Sequence, residues 1–537
     1  MATAAFPARP APAPAAAAAP VRTPDPYAHK WVIAIGVVLA AVMELIDTSI
    51  INVALTQMSA NLGATLDEIA WVSTGYIVAA VIVLPMTGWL STFFGRTRYL
   101  VGSIILFTIA SWLCGQSTSL AELVVWRVVQ GIGGGALIAT SQAILFESFP
   151  KSQQTLAAAL FGIGMMVGPA IGPTLGGIIV DRYTWPWIFY INLPVGVLAA
   201  FMVWTYTSDP PTQQRPTKLD LPGIALIMLG IGSLQFVLER GEHYDWFDSH
   251  LITWLSVISA VSLALLVWWE LHTDQPVLNL RVLKDRSLAA GSAFAVILGI
   301  ALYGSIFALP IFIQQLLGYD AETAGWILFP GALGSAVAMI FIARVGPKLP
   351  DMRWLIAIGA VMVSGSMYFH GQFTLDSGQH EMLWPVVFRG MGTGFMFVPL
   401  TTSAIANLKG RTLADGSAIF NLTRQLGGSI GIAVLATKLT QRAQQHRAAL
   451  VEPAGVYDAT TLDRLQMMAR GFTSRGIDPM TAARKALAAL DYTVQRQATL
   501  LAFSDVFHLV MILMLCALPL IAVLRRPARG GPLHMGE

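Results

Sequence analysis

Charge is scarce in this chain. Asp, Glu, Lys and Arg make up 12% of its 537 residues, against roughly 25% in an ordinary soluble domain. A chain this long with so few charges cannot clothe a soluble body, which excludes an ordinary soluble enzyme or scaffold. Cysteine is almost absent. Cys114 and Cys516 are the only two, both in apolar runs, and they read as packing residues rather than a disulfide framework or a metal site. There is no metal-ligand cluster, no nucleophile elbow and no nucleotide-binding motif. The glycine-rich runs are not followed by Lys-Ser/Thr, so they are not phosphate loops. The reading is therefore not an enzyme: no catalytic residue, no metal, no cofactor and no nucleic-acid partner. The first 30 residues are rich in Ala and Pro and lack the apolar stretch of a signal peptide; they read as a disordered tail.

What the chain has instead is apolar length. Hydrophobic residues make up 55% of the sequence and the mean hydropathy is +0.64. A helical span needs about 20 apolar residues. Fourteen candidates lie near 31–55, 69–90, 99–117, 121–146, 155–179, 187–207, 221–238, 251–269, 288–314, 322–343, 354–371, 382–405, 416–436 and 501–524. The fold class is an all-α polytopic membrane protein in a lipid bilayer. With the N-terminus inside, the inner segments hold nineteen Lys and Arg, whereas the short outer loops hold two, Arg182 and Arg240. Long loops escape this rule, which sets both termini on the cytoplasmic side.

A weak internal repeat divides the chain. Arg127 is followed by Gly131, Gly133, Gly134 and Gly135; Arg389 is followed by Gly390, Gly392 and Gly394. Both arginines lie early in spans that enter from outside. Two six-helix bundles, 31–207 and 288–524, put these spans in corresponding positions, with two inserted helices and their flanking loops over 208–287. Parallel repeats of this kind mark a large transporter architecture. Residues 1–30 and 525–537 are cytoplasmic tails. The long outer loop, 437–500, belongs to the second bundle. In it, Lys438 to Leu450 continues span 13 as a helix, and Asp478-Pro479 reads as an N-cap and first helical position.

Ionisable residues within spans are costly and mark ion or substrate paths by default. Glu44, Asp47 and Arg127 are three such residues. At 1.5 Å rise per residue, Asp47 lies roughly 12 Å and Arg127 roughly 9 Å below the outer ends of their spans. An ion pair is geometrically possible if the helices are neighbours. Glu44 shares a helical face with Asp47. The competing reading is a purely structural buried pair. In span 5, Gly168, Pro169, Gly172, Pro173, Gly176 and Gly177 combine close packing with bends, as expected of a helix that slides against its partner. The inner loop motif between spans 2 and 3, with Gly88, Gly95 and Arg96, permits a tight turn. In span 13, Asn421, Arg424 and the neighbouring glycines line a cavity or form an interhelical hydrogen-bond seam. Asp505 and His508 read as interfacial polar residues.

These residues resemble the major facilitator superfamily, and within it the fourteen-span drug:proton antiporters. The run Asp47-Thr-Ser-Ile-Ile-Asn52-Val-Ala-Leu is similar to the span 1 motif, Arg127-Val-Val-Gln130-Gly-Ile-Gly to the span 4 motif, and Gly168-Pro169 through Gly177 to the antiporter motif of span 5. Trp187 through Asn192 to Gly196 is a further family signature. Gly232-Ser-Leu-Gln, the Asp245 run and Pro399-Leu-Thr-Thr402 resemble the EmrB-type permeases of Gram-negative multidrug efflux. Thr92 and Phe93 depart from the superfamily, replacing its usual Asp-Arg pair, and Glu44 is an additional acid. The resemblance implies proton coupling through Asp47 and Arg127, with Glu44 beside them. It implies a cavity that includes Asn52, Gln130, Arg389, Asn421 and Arg424. Export of hydrophobic or amphipathic compounds, energy from the proton gradient, a periplasmic membrane-fusion adaptor, an outer-membrane channel and a bacterial inner-membrane location also follow from it. The alternative is a proton-coupled exporter of one endogenous metabolite; a membrane sensor or enzyme stands further off.

Overall fold

The computed structural model describes residues 27, 29–207, 209, 220–349, 351–454 and 458–524. The N-terminal tail assigned to 1–30 falls mostly outside the described residues, and the C-terminal tail over 525–537 falls entirely outside them. The described residues are helical throughout, without a strand. The main helices are α1 (Lys30–Leu62), α2 (Asp67–Phe94), α3 (Arg96–Gln116), α4 (Leu120–Ser148), α5 (Gln154–Arg182) and α6 (Trp187–Tyr206). They continue as α7 (Leu221–Arg240), α8 (His250–His272), α9 (Arg286–Leu316), α10 (Ala321–Val345), α11 (Arg353–His370) and α12 (Gln379–Ile405). Last come α13 (Arg411–Val451), α14 (Ala459–Thr473) and α15 (Pro479–Ala517).

Among the described residues, twelve helices are long and apolar enough to cross a membrane. Two of the fourteen spans read from sequence, at α11 and α13, do not meet that standard by length and composition. α11 has Arg353 and His370 at its ends, and α13 carries Asn421, Arg424 and Gln425 in its middle. Both are nonetheless packed inside the bundle: α13 lies along α9, and α11 lies along α12.

The packing pattern occurs twice. In the first half α1 lies against α5, α4 against α2 and α3, and α3 against α6. In the second half α9 lies against α13, α12 against α10 and α11, and α11 against α15. Glycines set these distances in both halves. A Cβ on Gly131 or Gly135 would run into carbonyl oxygens of Tyr76 and Ala80 on α2, and one on Gly390 would run into Gly331 on α10. The halves meet where α5 packs on α10 and where α2 packs on α13. α7 and α8 form a hairpin beside this seam, and α8 turns Trp254, Val257, Val261 and Trp268 outward, as suits a lipid-facing helix. The outer loop of this hairpin is tied to both halves. Arg240 bonds Asp67 beside α2, and Trp246 Nε1 donates to Thr437 Oγ1 on α13 at 3.0 Å.

Candidate functional site

The close approach of α2 and α4 builds the first part of the site. It brings the Tyr76 ring beneath the Arg127 guanidinium, 4.2 Å from Cζ to the ring centroid. It also lets Arg127 Nε donate to the Val72 carbonyl at 3.0 Å. Asp47 and Arg127 are both fully enclosed, and Arg127 Nη1 lies 2.6 Å from Asp47 Oδ2. The other carboxylate oxygen accepts from Gln130 Nε2 and from Asn192 Nδ2, each at 2.9 Å. Asn192 Nδ2 also donates to Ser111 Oγ, which donates to the Phe189 carbonyl. Gln130 Oε1 accepts from Arg127 at 2.7 Å and from the buried Cys114 thiol at 3.6 Å. A buried ion pair offsets its desolvation cost only when its remaining bonding capacity is filled, and here five helices, α1, α2, α3, α4 and α6, contribute to filling it.

Glu44 stands apart from that network. It lies one turn inward of Asp47 on α1, and its Oε2 is buried without a hydrogen-bond partner among the described residues. The cation acting on it is Arg424 of α13, in the opposite half. Arg424 is itself buried; its Nη1 donates to Tyr303 Oη at 2.8 Å and its Nη2 to Asn421 Oδ1 at 3.3 Å. Asn421 Nδ2 donates to Gln142 Oε1 on α4, so the halves are joined by a direct side-chain bond at the centre. Around it, Thr140 Oγ1, Ser141 Oγ, Gln142 Nε2 and Ser417 Oγ are buried with no partner among the described residues. Buried polar groups are hydrogen-bonded as a rule, so these partnerless ones set the junction of the halves apart from ordinary packing. The apolar groove along Thr108, Trp112, Val197 and Phe201 is an outer, lipid-facing feature of α3 and α6, away from this cluster.

The other residues singled out from sequence fall as follows. Gln130 is committed to the ion pair. The Asn52 side chain lies outside the described residues. Arg389 reaches α9, where Nη1 donates to Ser305 Oγ at 3.0 Å. Pro169 and Pro173 lie inside α5. Gly168, Gly172 and Gly176 all face α1: a Cβ there would meet Leu45 Cβ at 2.6 Å, the Ser49 hydroxyl, and Ile50 Cγ1 at 2.8 Å respectively, whereas Gly177 is open. The glycine face of α5 is thus a seam within the first half, and α10 is met by its other face, through Gly162 and Thr174. Gly95 has φ 92°, the left-handed backbone its turn requires. Arg96 pairs with Glu147, and the Thr97 N–H donates to Asp209. Gly88 packs against Asp415 at the start of α13, so an acid from the second half stands at this loop although Thr92 and Phe93 carry no charge.

Asn192, Gln142 and Tyr76 were not among the residues marked as a site. Asn192 had a signal: a lone amide in the apolar run Trp187 to Val195. Gln142 and Tyr76 had none beyond being polar within spans.

The chain belongs to the major facilitator superfamily, whose family profile matches residues 37–432. It is similar to the "Multidrug export protein EmrB" of Escherichia coli (strain K12), at 36% identity over 80% of this chain and 84% of that protein. It is also similar to the "Fatty acid resistance protein FarB" of Neisseria gonorrhoeae, at 33% identity over 94% and 97% of the two chains. Among solved structures, the human organic anion transporter MFSD10 matches with a TM-score of 0.54 at 13% identity, covering 90% of this chain and 99% of that one. That last likeness concerns the fold alone.

Proposed function

We propose that this chain is a proton-coupled multidrug export antiporter of the bacterial inner membrane, with both termini cytoplasmic. The observation that carries the reading is the pairing of two sites on one helix. Asp47 on α1 is held by Arg127, Gln130 and Asn192, while Glu44, one turn inward, faces Arg424 across the junction of the halves. A proton arriving at Asp47 removes its charge attraction for Arg127 and weakens its bonds to the two amide donors. The weakening of those bonds would loosen α1 from α4 and α6, and α1 carries Glu44 into or out of the central cluster. Proton binding and substrate access would then be linked through one rigid helix. The relatives' names, a multidrug export protein and a fatty acid resistance protein, support export of drugs or fatty-acid-like compounds.

A periplasmic adaptor and an outer-membrane channel complete the proposed system. Beyond the membrane, α13 and α15 run together, joined by Arg447–Asp491 at 2.7 Å and His446–Asp505 at 2.9 Å. α14 packs on α15. Met467, Met480, Leu487 and Tyr492 stand exposed on this projection, as an apolar docking surface would. The likeness to a fatty acid resistance protein favours, as a second reading, a narrower range of amphiphilic substrates.

A deletion strain challenged with a panel of toxic compounds tests the function, together with proton flux in everted vesicles. Sensitisation to several unrelated amphiphiles, and proton release when they are added, is the expected result. Sensitivity to a single metabolite would favour the narrow reading. No change in either assay would refute export.

A further inference from the structure

The two halves repeat one arrangement with a member missing. In the first half, Arg127 of α4 reaches Asp47 on α1. In the second half the arginine on the corresponding helix, Arg389 of α12, reaches α9, which packs in its half as α1 does in the other. At that end stands Ser305, a neutral hydroxyl. Neither α9 nor α11 carries an Asp or Glu, and the acid of α12, Glu381, is in its first turn. Arg389 Nε is buried without a partner among the described residues.

A second arginine shares part of this condition. Among the described residues Arg424 is hydrogen-bonded to the neutral Tyr303 and Asn421 and its Nε is likewise buried without a partner, but unlike Arg389 it has a carboxylate, Glu44, acting on it from the other half. Tyr303 and Ser305, two residues apart on α9, point to different faces of the helix, so Arg389 stands at a place of its own. A guanidinium has five N–H donors in a fork that matches a carboxylate. At Arg389 this fork lies at membrane depth against a neutral partner, so an anion would offset its desolvation cost.

We propose that Arg389, presented from α12 against Ser305, is the headgroup site for anionic substrates. The substrate class is an amphiphile with one carboxylate and an apolar body. This rests on the export reading above and deepens it. The acid that the repeat omits from α9 is supplied by the substrate, and Glu44, on the opposite half, sets the contrasting preference for cations.

Three fluorescent probes with the same pyrenebutyl body test the assignment, carrying a carboxylate, a hydroxyl or a trimethylammonium head. Their binding to the full chain in nanodiscs is read by anisotropy against empty nanodiscs. Arg389→Gln should lower the ratio of carboxylate to trimethylammonium affinity by about tenfold or more, the scale of a lost charge-assisted bond. Ser305→Asp should do the same by placing an internal carboxylate on Arg389. Arg389→Lys should keep most of the ratio. Should either variant fail to fold, the other carries the test. An unchanged ratio in the folded variants, or an equal loss for all three heads, overturns the proposal and leaves Arg389 a structural tie to α9. Export of a cationic dye by vesicles of the unmodified chain separates the two layers. If the dye is exported and the ratio does not move, this assignment alone fails; if no compound is exported, the export reading fails beneath it.

Discussion

A carboxylate gripped by three donors at membrane depth changes its charge only if its neighbours move with it. Asp47→Asn keeps an acceptor oxygen for the surrounding amides but removes the charge opposite Arg127. The expected outcome is loss of proton-driven efflux, read as proton flux in everted vesicles, with membrane insertion preserved. Leaving Arg127 buried without its counter-charge costs about 3–5 kcal/mol by the general scale for broken buried pairs. The double substitution Asp47→Asn with Arg127→Gln should therefore recover thermal stability without recovering transport. Full efflux in the single variant would remove Asp47 from the coupling path. Glu44→Gln makes a different prediction, because Glu44 has an unpartnered oxygen and faces the other half. The compound profile should shift against cations while proton exchange survives. If every compound is lost as in Asp47→Asn, the two acids form one coupled site. Sequence alone marks Asp47, Glu44 and Arg127, since a charge in an apolar run is conspicuous. It does not mark Asn192 or Gln142 as site residues, because neutral amides within spans are tolerated as ordinary interhelical bonds.

At the scale of helices, the glycines of α5 are legible as a close-packing face, but its partner is not. The antiporter-like motif suggests a face that slides between conformations. In this structure that face meets α1 in its own half, and it is the packing of Leu45, Ser49 and Ile50 into Gly168, Gly172 and Gly176 that sets where Asp47 stands. Gly172→Leu would drive a branched side chain into the Ser49 hydroxyl and push α1 away. Transport should slow by about tenfold or more while the folded protein still binds its compounds, since packed interfaces are bistable rather than elastic. Normal turnover in this variant would show that α1 and α5 need not stay in contact. Outside the membrane, α14 was not foreseen, because its polar sequence lacks the apolar run that marks a span. Its start is nonetheless a strong cap. The Asp458 carboxylate accepts from the Thr461 N–H and from the Thr460 and Thr461 hydroxyls, and these bonds hold it down at about 2. A depressed acid stabilises the fold above its unfolded value, near 3.9, and that contribution disappears only as pH falls toward 2. Hydrogen exchange over 459–473, corrected for intrinsic rate, should therefore be the same at pH 8 and pH 5. Asp458→Ala should raise it at both. A rise at pH 5 in the unmodified chain would mean that another group governs this helix.

Taken whole, the molecule is two copies of one packing scheme with a hairpin laid beside the seam. The twofold plan is visible in sequence through the arginine–glycine runs after Arg127 and Arg389. The insertion is visible because it separates them. What the sequence does not disclose is that the hairpin's outer loop holds both halves, through Arg240 to Asp67 and Trp246 to Thr437. These pairs lie far apart in the chain and follow no periodicity. The sequence marks two helices of the outer segment, the continuation of span 13 and the one capped at Asp478, but neither α14 nor the packing that joins all three. That assembly bears on the largest-scale claim, the adaptor. Because α13 and α15 brace one another by ion pairs, removing the whole segment would also disturb the spans beneath. A narrower change isolates the surface. Replacing residues 452–477 with a short Gly-Ser linker removes α14 and keeps the braced pair. Adding Met480→Ser, Leu487→Ser and Tyr492→Ser removes the exposed apolar groups of α15, which make no contribution to the core. The expected result is intact insertion and undiminished proton exchange in vesicles, with resistance abolished in cells, where the compound must be handed to a partner. Resistance that survives both changes, or crosslinks to an adaptor found only on other outer loops, would remove this projection as the docking element while leaving the transporter intact. Loss of proton exchange in vesicles would show that the projection belongs to the transport cycle itself, and that it is not a separable dock.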